Sequence, residues 1–164
     1  MILTKEAIKK AVKDKKIKIN PYKAHNLNGA SLDITLSDDF WFYTRSQTIK
    51  LSEHTDFNKY TKHKKRNSIR LEPGEFVLGM SEEKITMPDN ICALLSGRSR
   101  FARMGIVVHA TAFLMHPGVS NHQMFEIKNL SNNTLVLEKG LKIAQVIFVK
   151  TEGKEKYKGR YKNQ

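Results

Sequence analysis

One cysteine, Cys92, stands in a chain of 164 residues. With no second thiol, no internal disulfide can form, which excludes a small cross-linked secreted domain and fits a reducing cytosol. Nor is a staple needed, since a chain of this length buries roughly two-thirds of its unfolded surface. No apolar run approaches the roughly 18–20 residues of a membrane-spanning helix. The opening MILTKEAIKKAVK carries lysine throughout and lacks the apolar core of a secretory leader. A soluble cytoplasmic domain with no membrane partner is expected.

Several catalytic signatures are missing too. The zinc deaminases use H-x-E followed by P-C-x-x-C, and a single cysteine excludes that site. The six histidines, His25, His54, His63, His109, His116 and His122, show no H-E-x-x-H spacing. There is no Walker phosphate loop and no G-x-S-x-G nucleophile elbow. No metal-ligating residue is therefore assigned.

Acid is scarce relative to base: 16 Asp and Glu against 29 Lys and Arg, a net charge of +13. The excess is local. Residues 1–23 hold eight lysines against Glu6 and Asp14, and residues 58–70 hold six basic side chains and no acid. Residues 150–164 hold six more against Glu152 and Glu155. Such segments are either a solvated lysine-rich surface or the footprint of a polyanion, a nucleic acid or a nucleotide's phosphates.

What is present reads as one β domain over residues 1–149. Thr4 is a natural N-cap, and Ile8, Ala11 and Val12 form an apolar stripe, so a short helix spans about 4–14. Leu32, Ile34 and Leu36 alternate with Ser31, Asp33 and Thr35 as in a half-buried strand, and Phe40-Trp41-Phe42-Tyr43 reads as another. Residues 52–68 lack periodicity and read as a basic loop. From Leu71 onward, FVLGM, ICALL, IVVHATAFLM, MFEIKNL, TLVL and LKIAQVIFV are separated by turn signals. That rhythm indicates a sandwich, jelly roll or distorted barrel. The tail, 150–164, is too polar to pack alone and is expected to be mobile.

Two stretches carry chemistry. Ser96-Gly97-Arg98-Ser99-Arg100-Phe101-Ala102-Arg103 puts three arginines and a glycine after a strand. Arginine forks match phosphate oxygens, although a solvated surface turn explains the same residues. Glu126, between apolar neighbours in MFEIKNL, either faces solvent on the polar side of its strand or is half-buried. In the second case desolvation makes it a better general base.

The run PGEFVLGMSEEKITMPDNICALLSGRSRFARMGIVVHATAFLMHPG resembles the dCTP deaminase branch of the dUTPase superfamily. NGASLDITL, MFEIKNL, GLKIAQVIF and YKGRYKNQ are similar to further family segments, in the same order. Only the basic stretch around 52–68 falls outside the likeness. The resemblance implies an all-β distorted barrel or jelly roll, forming a homotrimer with its active sites between subunits. It implies zinc-independent deamination of dCTP to dUTP and ammonia, with Mg²⁺ on the triphosphate. dTTP or dUTP would act as inhibitor or product. Arg98, Ser99, Arg100, Phe101, Ala102 and Arg103 would line the triphosphate and catalytic loop. Glu126 would activate the water, oriented by Ser99 and the Ala112 carbonyl. His116, Met124, Phe125 and Gln145 would lie near the nucleotide, and Tyr157, Arg160 and Gln164 would close over it within the tail.

Three departures accompany the likeness. Arg100 stands where the family has a second serine, and His116 where it has an aspartate before Pro117-Gly118. Asn121 and His122 replace small residues. In relatives that hydrolyse dUTP, the aspartate positions the attacking water. A dUTP diphosphatase, alone or combined with deamination, is thus an alternative, as is a non-catalytic nucleotide- or nucleic-acid-binding member of the fold.

Overall fold

The structure is a computed structural model that describes residues 1–159 and 161–162. Thr4 holds the N-cap of α1 (Lys5–Lys13), but its side chain makes no capping bond. Only its carbonyl takes part, accepting the Ile8 amide at 2.9 Å. Ile8 and Ala11 are buried, as the apolar stripe predicts. β1 (Lys18–Asn20) stops at the residue before Pro21. Then come β2 (Leu27–Asn28), the long β3 (Ser31–Tyr43), β4 (Thr61–Lys65) and β5 (Ser68–Leu71). β6 (Phe76–Thr86) and β7 (Ile91–Gly97) lead to a one-turn helix, α2 (Ser99–Ala102). The chain ends with β8 (Ile106–Val107), β9 (Leu114–Met115), β10 (Ser120–Asn129), β11 (Leu135–Glu138) and β12 (Lys142–Lys150).

The main sheet is antiparallel in the order β8-β10-β6-β3-β12-β7-β9, with β1 on β6 and β2 and β4 on β3. β11 and β5 pair separately. β3 serves both halves: residues 32–35 pair with β12, and residues 40–41 with β6. Register breaks between Leu36 and Phe40, and between Lys142 and Ala144, bend the ladder. The sheet therefore curls into a half-barrel around Phe40, Phe125, Phe148 and Ile127, all fully buried. This is the expected all-β architecture with its short N-terminal helix.

Three local expectations change. Residues 52–68 are not all loop, because Thr61–Lys65 form β4 against β3. Only Thr61 of that strand is buried, so no apolar alternation marks it. Backbone pairing holds it, together with His63 Nε2 at 2.7 Å from Asp39 and Lys65 Nζ at 3.3 Å from Asp38. The run IVVHATAFLM is likewise not one strand but β8 and β9, with a loop between them.

The third change is in β3, which is buried on both faces from Ser31 to Ser37. Its polar side chains are satisfied by protein instead of water. Asp33, 4% exposed, meets Arg98 Nη2 at 3.0 Å, and Arg98 Nη1 donates to the Lys142 carbonyl at 2.8 Å. The Thr35 amide donates to Glu83 Oε2 at 2.8 Å. The Thr35 hydroxyl lies 2.6 Å from Glu83 Oε1 and 3.0 Å from Glu82 Oε2. One hydroxyl proton serves one carboxylate at a time.

Burial pushes the Glu83 carboxyl up from the ordinary glutamate range, against the Thr35 hydrogen bonds. A proton is then held more tightly in the folded chain than in the unfolded one. Glu83's contribution to stability is full below the unfolded pKa and is lost as pH rises towards the folded value. Asp38 and Glu82 act oppositely. The hydrogen bonds from Lys139 and Lys23 hold them down, so their contributions are lost as pH falls. Glu83→Gln keeps an acceptor for the Thr35 amide and should flatten the decline between mildly acidic and neutral pH. Denaturation midpoints across that range check this, and an unchanged slope would count against Glu83 as its source.

The Asp33–Arg98 pair makes a second prediction. Arg98→Ala leaves a buried carboxylate unpaired and should cost roughly 3–5 kcal/mol of stability. Arg98→Lys should recover part of the loss. A wild-type denaturation midpoint in the alanine variant would show that the pair contributes little.

Candidate active site

Along β10 the side chains alternate between buried and half-exposed. Phe125 and Ile127 point into the core at 0% exposure. Phe125 was expected beside a nucleotide; the period of two instead sends its ring to the far side of the sheet. Met124 and Glu126 face outward, with Leu78 of β6 directly opposite Glu126 and Trp41 of β3 opposite Leu78.

The outward face at Glu126 is not simply solvent, because the loop after β8 folds over it. Once β8 leaves the ladder, the amides of residues 110–112 have no strand partner and need acceptors. Glu126 supplies one: Oε2 accepts from the Ala110 amide at 2.7 Å and the Thr111 amide at 2.8 Å, with that of Ala112 at 3.5 Å. Among the described residues Oε1 has no protein partner. Of the two alternatives for Glu126, the structure shows the half-buried one.

Beside Glu126 lies a cavity of about 480 Å³, within the range of roughly 300–1,000 Å³ of small-molecule sites. At one end are Ala112, Met115, His116, Val119 and Met124, with Tyr157 and Tyr161 from the tail. The tail is laid along the body by hydrogen bonds. The Tyr157 amide donates to the Pro117 carbonyl at 2.9 Å, and the Ser120 amide to the Lys162 carbonyl at 2.9 Å. Gly118, at φ +77°, permits this contact, since a Cβ there would come within 3.2 Å of the Lys156 Cα. The Tyr157 ring stacks on His116 with centroids 4.8 Å apart and planes 3° from parallel. Arg160 and Gln164, assigned to the same tail, lie outside the described residues.

The arginine segment is elsewhere. β7 ends at Gly97, Arg98 caps α2, and the Ala102 amide donates to the Arg98 carbonyl at 3.0 Å. Gly105 turns the chain back at φ +84°, where a Cβ would meet the Ser131 amide nitrogen at 2.8 Å. Ser99, Arg100, Ala102 and Arg103 are exposed and Phe101 is partly covered. Gln145 belongs to this group, donating to the Gly97 carbonyl at 3.1 Å and accepting from Ser31 at 3.2 Å. None of these residues lines the Glu126 cavity. Arg98, expected on the triphosphate, is already committed to Asp33 and Lys142.

The opposite end, formed by Leu78, Phe76, Tyr43 and Phe57, holds no residue assigned from the sequence; Asn121, His122 and Gln123 lie on the tail side, where Asn121 donates to the Tyr161 carbonyl at 2.9 Å. Phe57 is an apolar residue in an otherwise polar stretch, the one signal that could have drawn attention to it.

A family model described as dCTP deaminase-like matches residues 2–151. The protein named "dCTP deaminase, dUMP-forming" of Streptomyces griseus is 29% identical over 174 residues, covering 100% of this chain and 91% of its own. The dCTP deaminase of Pyrobaculum islandicum is 29% identical over 165 residues, covering 100% and 93%. Among solved structures, 2'-deoxycytidine 5'-triphosphate deaminase from Agrobacterium tumefaciens superposes with a TM-score of 0.71 at 20% identity. That match covers 90% of this chain and 46% of the other, and it speaks to the fold. With nearly all of its β domain matched, the chain belongs to the dCTP deaminase-like family.

Proposed function

We propose that the protein deaminates dCTP, using Glu126 to activate water against C4 of cytosine. The observation that carries this reading is the Glu126 carboxylate. One oxygen is fixed by backbone amides, and the other, without a protein partner among the described residues, lies beside a cavity of about 480 Å³. The carboxylate takes a proton as the water oxygen bonds to C4 and passes it to the exocyclic nitrogen, while the second water proton ends on N3. The C4–N bond breaks, ammonia leaves and a carbonyl remains, giving dUTP.

The triphosphate needs cations, and a single chain keeps its arginine turn apart from the Glu126 cavity. A complete site would therefore combine Glu126 of one copy with Ser99, Arg100 and Arg103 of another, which is the physical argument for a homotrimer. Arginines pair with phosphate oxygens but cannot ligate a metal. Mg²⁺ would arrive on the triphosphate as part of the substrate, in the cytoplasmic nucleotide pool.

The names of several relatives favour a second reading, in which the phosphate chain is also cleaved to give dUMP. Here His116 stands where the resemblance places an aspartate, and its ring is stacked on Tyr157. A stacked imidazole has no carboxylate oxygen with which to orient a water, so dUTP is the product expected. Incubation with dCTP and Mg²⁺ should release ammonia and dUTP without pyrophosphate; pyrophosphate with dUMP would establish the second reading.

Glu126→Gln should lower turnover roughly 10²–10⁴-fold while triphosphate binding survives. Arg103→Ala should be inactive for a different reason. Refolding the two variants together should then restore activity, because mixed trimers regain some intact sites. Wild-type turnover by Glu126→Gln would remove the assigned base, and a mixture that stays inactive would remove the shared site.

The tail would close over bound nucleotide, with Tyr157 beside the sugar or base and Arg160 and Gln164 near it. Closure excludes water and strengthens the electrostatic contacts inside. Deleting residues 156–164 should cut kcat/KM strongly and shift the denaturation midpoint only slightly. Full activity in the truncated chain would leave the segment as a solubilising end.

A further inference from the structure

Cytosine bound for attack at C4 has two unlike edges. N3 and O2 are polar and seek hydrogen bonds, whereas C5 and C6 carry only hydrogen and gain by leaving water. The cavity beside Glu126 is divided in the same way. On the tail side lie Ala112, Asn121, His122 and Gln123, with Asn121 donating to the Tyr161 carbonyl at 2.9 Å. On the other side are Leu78, Phe76, Tyr43 and Phe57.

That second end is built as an apolar wall. Leu78 is opposite Glu126 in the β6–β10 register, and Phe76 is opposite Lys128, one step further along the same face. The Tyr43 ring lies 6.0 Å from Phe76. Phe57 closes the end and is held edge-on against Trp41, centroids 6.4 Å apart at 70°. The short turn that carries Phe57 is fixed by Asp56, whose carboxylate accepts the Asn58 amide at 3.1 Å. Phe57 comes from the otherwise polar stretch around 52–68. An apolar wall next to the assigned base bears on which substrate fits.

We infer that the aromatic end is a subsite for an apolar substituent on C5, so that a 5-methylated deoxycytidine triphosphate is the better substrate. The inference rests on the proposed deamination of dCTP and refines its substrate class. With C4 held at Glu126, C5 is the neighbouring ring atom, and a methyl group there enters the space bounded by Leu78, Phe76, Tyr43 and Phe57. A methyl group in an apolar pocket commonly changes kcat/KM by roughly tenfold or more. Phe57 is a specificity residue on this view, without a part in proton transfer.

The test compares kcat/KM for 5-methyl-dCTP and dCTP in the wild-type protein and in Phe57→Ala, with Mg²⁺ present. Affinities of both nucleotides for Glu126→Gln, and for Glu126→Gln combined with Phe57→Ala, supply a second readout independent of turnover. The expected result is a preference for the methylated nucleotide on the order of tenfold in both measurements, collapsing towards unity when Phe57 is removed. Equal use of the two nucleotides by the wild type would overturn the subsite. So would a preference that persists without Phe57. If neither nucleotide is deaminated, the proposed activity fails, and the affinity ratio alone decides whether the subsite exists.

Discussion

Successive side chains of a strand leave it on opposite sides, and along β10 that constraint ties the core to the candidate site. Phe125 and Ile127 fill the centre of the half-barrel, which fixes the strand's register against β6. Once these two face inward, Met124 and Glu126 must face outward. A slip of one residue would bury the carboxylate and expose a phenylalanine, so packing enforces the position of the acid. The loop after β8 then uses that acid as its anchor, and the cavity takes shape between the loop and the sheet.

The same economy runs through the interior. A curled sheet needs a strand that serves both of its halves, and β3 does so at the cost of burying the polar side chains of one face. Each finds a partner: Asp33 with Arg98, Thr35 with Glu83, Ser31 with Gln145. Arg98 and Gln145 both flank Gly97, so these contacts fix the point where β7 gives way to α2. Fold stability and the placement of the exposed Ser99, Arg100 and Arg103 thus depend on one buried polar cluster.

How much of this could be read beforehand differs between elements for physical reasons. β10 alternates apolar and polar residues over Phe125–Lys128, and β12 is a short, mostly apolar run between lysines, and both patterns expose strands directly. β3 also alternates, but alternation reports polarity and not what satisfies it. Water and a buried Arg98 or Glu83 look alike in a sequence. β4 has no apolar period because only Thr61 is covered, and its pairing depends on the distant Asp38 and Asp39. Glu126 could be named from the family resemblance, yet its depth could not, since a loop folding over a polar face leaves no periodic trace. The inward turn of Phe125 was legible from alternation. Phe57 was not, because its place depends on where an otherwise polar segment lands.

The separation of acid from arginine within one chain has a chemical consequence on the proposed reading. Glu126 spends one oxygen on backbone amides, and its nearest strand neighbours across the sheet are Leu78 and Trp41. Arg98 is committed to Asp33 and to the Lys142 carbonyl. Arg100 and Arg103 remain exposed. On that reading a second copy brings them to the cavity, where they meet the phosphates of a nucleotide whose base lies at Glu126. The substrate then joins groups from two copies in one site.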